Sequence, residues 1–178
     1  MSWKKHTYSQ SLTGKEVTLI RDLTRGILRQ EGLSHIPVRI KSGVWSTAYV
    51  VSGNRDRLTR EWKIDEEYIQ LGGKMLTGSL YPKRIYYISI YDSDYRVRLI
   101  AKPKDVMMAD IIGSTIIEEI AHAVSSNKAF RQRRADVKSH GAEFTSSFKE
   151  LWRKYFIDLK YKLLDIYGYN GISGEEYI

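Results

Sequence analysis

Between Thr13 and Gly32 the apolar residues Ile20, Leu23, Ile27 and Leu28 recur at three- and four-residue intervals, the period of a helix with one buried face. Thr13-Gly14-Lys15-Glu16 has the Ser/Thr-x-x-Glu spacing in which side chain and backbone cap each other, so this helix is predicted to begin there and to stop at Gly32. The period then falls to two. Residues 36–41 alternate apolar and polar, and 46–51 read as a second strand closed by Ser52-Gly53-Asn54. Residues 84–91 (RIYYISIY) and 95–101 (YRVRLIA) are filled with β-branched and aromatic side chains and predict a hairpin around Asp92-Ser93-Asp94. Residues 54–80 carry the weakest pattern; Leu58, Trp62 and Ile69 are compatible with a short helix ended by Gly72-Gly73. A helical period returns over about 106–125, a basic polar connector covers 127–138, and a long helix starts near Ala142 with Phe144, Phe148, Leu151, Trp152, Tyr155 and Leu159 along one face. The tail from about Tyr167, rich in Gly and Tyr, is expected to be irregular. A helix, then strands, then two helices predict an α+β fold with a small, mainly antiparallel sheet. Without repeats or a linker, residues 1–178 read as one domain.

The helix over 106–125 also carries chemistry. Ile112, Ile116, Ile120 and Val124 share one face, while Ser114, Glu118, His122 and Ser125 fall along another. Ile111, Ile117 and Ala121 keep most of the remaining circumference apolar, so the helix is predicted to be largely buried. Charged groups are costly there unless they are paired or bind a cation. Glu118 and His122 stand at i and i+4, roughly 6 Å apart at Cβ and pointing the same way, which lets them grip one ion. Glu119, one position on, is rotated toward the open side of that ion. In the H-E-x-x-H arrangement two ligands come from one helix and the intervening Glu serves as general base. Here Glu occupies the first ligand position, and two histidines with one glutamate form a known catalytic zinc set. The third ligand is expected from Ser139-His140-Gly141-Ala142-Glu143-Phe144, where His140 lies eighteen residues beyond His122 and opens the long helix. Alone, a helical Glu-x-x-x-His is also an ordinary ion pair worth a few tenths of a kcal/mol, and His140 an ordinary helix-start residue. The order of these segments, with apolar flanks and the aromatic helix behind them, favours the ion site.

Composition narrows the choice. The chain has no cysteine, which excludes disulfides, iron–sulfur ligation and cysteine-based zinc fingers, and leaves His, Asp and Glu as metal ligands. Of the four histidines, His6 and His35 have no role that the pattern assigns. A net charge of +8 and a pI near 9.5 favour polyanions, nucleic acid first among them, although a basic surface with no specific ligand accounts for the charge equally well. The connector holds Lys128, Arg131, Arg133, Arg134 and Lys138 against the single acid Asp136; it suits phosphate contacts and a solvated linker alike. Tyr86, Tyr87, Tyr91 and Tyr95 suit base stacking or, more commonly, half-buried strand packing. No apolar run approaches the ~20 residues that span a bilayer. The basic start Met1-Ser-Trp-Lys-Lys-His lacks the apolar run of a secretory signal, so a cytoplasmic protein with no membrane partner is expected.

Glu-Glu-Ile-Ala-His-Ala, the basic connector and His-Gly-Ala-Glu-Phe together resemble the core of the SprT-like metallopeptidases, H-E-x-x-H-A, a variable spacer and H-G-x-x-F. The resemblance covers about residues 106–160, and the order of helix, strands and active-site helix is similar to a minimal zincin-like SprT domain. It implies a zinc-dependent protease acting on a protein substrate; several members of the family cut proteins crosslinked to or bound on DNA. Carried over, Glu118 stands in place of the first His ligand, His122 is the second ligand, His140 the third and Glu119 the catalytic base. The chain departs from the family in that first ligand, and in having no cysteine from which an accessory ribbon could be built. The bound ion is expected to be zinc or another divalent metal. In the alternative, the zincin scaffold holds no metal and is a catalytically inactive module that binds nucleic acid or protein.

Overall fold

The computed structural model describes residues 12–41, 44, 46–73, 76, 86–92, 95–101, 108–131 and 140–167, by backbone alone at 86–92, 95–101, 108, 110–111, 128–131 and 166–167. Helix α1 (Gly14–Gln30) begins at Thr13, whose side chain accepts from the Glu16 N–H while the Glu16 carboxylate accepts from the Thr13 N–H. It ends where Gly32 turns left-handed (φ 73°), so that Leu33 N–H can reach back to the Leu28 carbonyl. Ile20, Thr24, Ile27 and Leu28 form its buried face.

Strands β1 (Val38–Lys41), β2 (Ala48–Arg55) and β3 (Trp62–Gly72) form a sheet in the order β1-β3-β2, with β1 parallel and β2 antiparallel to β3. Strands β4 (Tyr86–Asp92) and β5 (Tyr95–Ala101) pair antiparallel as a second, two-stranded sheet. Helices α2 (Met108–Arg131) and α3 (Ala142–Tyr167) pack on each other, and α2 also touches the sheet through β2 and β3. The core joins Ile112, Ile116, Ile117 and Ile120 of α2 to Phe144, Phe148, Leu151, Leu159 and Leu163 of α3, Ile20 and Leu28 of α1, and Ile69 and Leu71 of β3. Among the described residues no helix is long and apolar enough to cross a membrane.

The α+β class is as expected, and the parallel β1–β3 pairing makes the sheet mixed. Other expectations need correction. The region compatible with a short helix is instead β3. The outer half of that strand, from Trp62 to Glu66, is exposed on both faces, whereas its inner half runs through the middle of the sheet. Trp62-Lys63-Ile64-Asp65 and Ile69-Gln70-Leu71 each alternate, but the acidic run Asp65-Glu66-Glu67 breaks the period between them, which hid the strand. The Ser52-Gly53-Asn54 turn signal marks a β-bulge, and β2 continues to Arg55. A Cβ at Gly53 would lie 2.4 Å from the Lys63 carbonyl oxygen, so only glycine fits this close crossing of strands. Helix α2 outlasts its predicted end at Ser125 by six residues, because buried Asn127 bonds back to the Ala123 carbonyl and keeps a polar stretch helical.

Candidate metal centre

Two helices build the site. Glu118 and His122 project from α2 one turn apart, and His140 lies in the turn that leads into α3. One ligand atom from each of Glu118, His122 and His140 can be chosen so that all lie within 4.8 Å of one another, and this cluster could hold a metal ion. Glu118 Oε1 is 3.6 Å from His140 Nε2. Ligands bound tetrahedrally at about 2.0–2.2 Å stand about 3.4 Å apart, so closing the set on an ion needs a contraction of up to about 1.4 Å at the widest pair.

Phe144 fixes the two imidazoles. It stacks on His122 at 4.3 Å between centroids with a 28° tilt, and meets His140 edge-on at 4.8 Å. Behind it a ladder of rings at i, i+4 spacing, Phe144–Phe148–Trp152–Phe156, runs up α3 and seats the helix in the core. The site therefore has a rigid aromatic wall on one side. On the other it opens to solvent, since the Glu118 and His140 side chains are 40% and 43% exposed.

Glu119 lies on the sheet side, 6% exposed, and accepts a hydrogen bond from the Tyr49 N–H. The register of β2 makes this bond possible. Tyr49 pairs with Ile69, whose own N–H turns the other way, to the Pro37 carbonyl. Tyr49 and Ile69 are thus a non-hydrogen-bonded pair, and the Tyr49 N–H faces the outer edge of β2, where α2 runs. The second carboxylate oxygen of Glu119, Oε2, is buried without a hydrogen-bond partner. Burial, and then the neighbouring Glu118 charge, push the Glu119 carboxyl up to about 8 despite the opposing Tyr49 N–H. His122 is pulled down to about 4 by burial and then by His140. At neutral pH it is therefore an uncharged imidazole with a lone pair to offer a cation. The donor set fits a divalent ion: a neutral imidazole, a second imidazole, a carboxylate and, alongside, a buried carboxyl oxygen lacking a partner.

Of the residues singled out in the sequence, Glu118, His122 and His140 come together with Glu119 beside them. Lys128 and Arg131 lie on the last turns of α2, known by backbone alone, and Arg133, Arg134, Lys138 and His6 lie outside the described residues. The tyrosines of the β4–β5 hairpin are known by backbone alone. His35 is not part of the cluster and sits 3.0 Å from Glu67. Glu67, with its side chain 7% exposed, accepts from the Tyr49 hydroxyl and from Asn127 Nδ2, each at 2.7 Å. Burial, and then Glu67, raise the Tyr49 hydroxyl far above its ordinary range. Tyr49 thus ties β2 to α2 twice, through its N–H to Glu119 and through its hydroxyl and Glu67 to Asn127. Nothing local in the sequence marks this set, whose members lie 18 to 78 positions apart. Comparison with protein-family models, with curated proteins and with solved structures finds no match for the chain.

Proposed function

We propose that the chain is a metal-dependent peptidase similar in its core to the SprT-like zinc metallopeptidases, with Glu118, His122 and His140 as ligands and Glu119 as general base. The observation that carries this reading is the convergence of one acid and two imidazoles from separate segments on an ion-sized space, with a buried carboxyl beside it. When bound, zinc or another divalent ion would polarise the scissile carbonyl and acidify water. Glu119 Oε2 takes the proton of the attacking water and passes it to the leaving amine, while the Tyr49 N–H holds the other end of the carboxyl still. Without a cation nearby Glu119 is held protonated at neutral pH, so its role as base requires a loaded site. The outer edge of β2 supports a peptide as substrate. The Tyr49 N–H on that edge is taken by Glu119, but Val51 faces the same way and among the described residues no strand pairs there, which leaves the Val51 backbone groups for an extended chain to meet beside Glu119.

The test is metal content followed by cleavage. Protein supplemented with zinc should retain about one equivalent and cut casein or itself, and Glu119→Gln should keep the metal and lose the cleavage. Cleavage at the wild-type rate in Glu119→Gln would remove Glu119 from the mechanism. One observation favours the inactive zincin-like module instead: Glu118 Oε1 and His140 Nε2 lie 3.6 Å apart and can satisfy each other without an ion when the imidazole carries a proton. Protein that retains no stoichiometric zinc, manganese or iron after supplementation would decide for that module, with nucleic acid or protein as its partner.

A further inference from the structure

The β2–β3 hairpin projects a tip that no core packing explains. Leu58 at its apex is 95% exposed, and Trp62 and Ile64, which share one face of β3, are each 41% exposed. The loop joining the strands is nevertheless stiff. Asp56 Oδ1 accepts from the Leu58 and Thr59 N–H groups, and Thr59 Oγ1 accepts from the Glu61 N–H. Asp56 and Glu61 close the loop through a backbone bond, and Arg60 N–H returns to the Asp56 carbonyl. Arg60 itself holds a left-handed backbone (φ 58°), its carbonyl accepting from Arg55 Nε. A surface loop bound at so many points loses little conformational entropy on docking.

The charge of the tip indicates what it docks on. Residues 55–63 contain Arg55, Arg57, Arg60 and Lys63 against Asp56 and Glu61. The Asp56 carboxylate is engaged by the turn and by Lys63 at 3.1 Å, which leaves three arginines facing one free acid. Arginine-rich ribbons with a single apolar apex suit a duplex. A two-stranded ribbon can enter a groove of the duplex, guanidinium groups pair with phosphates, and from the minor groove an apolar side chain can wedge at a base step. A lone leucine buries too little apolar area to hold a bilayer without help.

We propose that the β2–β3 hairpin tip is a contact site for duplex nucleic acid, with Arg55, Arg57 and Arg60 on the phosphates and Leu58 as the wedge. These residues are distinct from those of the basic connector and the metal centre, and the test does not depend on either. The full chain is titrated onto a fluorescein-labelled 20-base-pair DNA duplex, read by anisotropy between 50 and 200 mM salt. Arg57→Gln with Arg60→Gln should weaken binding roughly tenfold and flatten the log–log salt slope by about 2, since each phosphate contact contributes about 0.9. Leu58→Ser, at a site too exposed to affect folding, should weaken binding while leaving the slope unchanged. Lys15→Gln with Arg25→Gln on α1 removes the same charge elsewhere and should leave affinity within twofold. Wild-type protein that fails to bind at 50 mM salt, or tip and α1 variants that lose affinity equally, would overturn the proposal. Equal binding to phosphatidylserine vesicles, lost in the tip variants, would overturn it in favour of a membrane surface.

Discussion

Glu118 sets the behaviour of its neighbours as much as it offers a ligand. Its carboxylate pairs with His140 and adds to the burial that holds a proton on Glu119. An incoming cation must displace the first interaction, and a bound one is left with less positive charge than three imidazoles would give it. Glu118→His removes both handicaps. It should tighten zinc binding by about tenfold, or 1.4 kcal/mol, in a competition titration with a chromogenic chelator. No gain would mean that residue 118 does not face the ion. Glu119 leaves its own mark on stability. Its folded-state pKa of about 8 lies above the ordinary 4.5, so above pH 4.5 the unfolded chain binds fewer protons than the fold. In chelator-treated protein this stability is intact below about pH 4.5 and is lost as pH rises through about 8. His122, depressed to about 4, acts with the opposite sign and costs stability as pH falls from 6.5. Glu119→Gln should therefore abolish the alkaline loss, with a gain on the order of 5 kcal/mol at pH 9 by urea unfolding.

At the scale of elements, the β2–β3 hairpin depends on one glycine. Gly53→Ala brings a methyl group against the Lys63 carbonyl, and neither strand can yield without breaking the bulge. A loss of about 1–3 kcal/mol in thermal unfolding is expected, together with a loosened Asp56 turn visible as faster amide exchange at Leu58 and Thr59. The same hairpin shows which elements the sequence reveals and which it hides. Helix α1 was legible because both its ends are local: Thr13 and Glu16 lie within one turn, and Gly32 follows directly. The Glu118, His122 and His140 cluster was legible because i, i+4 spacing on α2 and a helix start at His140 are local signals too. Strand β3 was not, since its neighbours β1 and β2 are set by long-range pairing and the apolar face of its outer half, Trp62 and Ile64, is turned to solvent and not to a core. The end of α2 was missed because the anchors of Asn127, Glu67 and Tyr49, come from the sheet. The Tyr49 N–H that holds Glu119 follows from strand register, which no short stretch of sequence encodes.

At the scale of the molecule, the proposed ion joins α2 to the start of α3 and so stabilises the fold as any ligand specific to the native state does. With free zinc at 100 times its dissociation constant the gain is about 2.7 kcal/mol, a rise of roughly 5–10 °C in Tm for a chain of this size. Scanning calorimetry should show that rise and its reversal by EDTA. An unchanged Tm across a zinc titration would contradict a site that bridges the two helices. Phe144 adds a kinetic consequence. Both imidazoles lean on this one ring, and the ring is locked into the ladder that seats the 26-residue α3. His122, stacked flat on that ring, cannot swing aside unless the helix behind it shifts, whereas half-exposed His140 and Glu118 can turn toward solvent. Escape of a captured ion is then expected to start at the two outer groups, with His122 the last to let go.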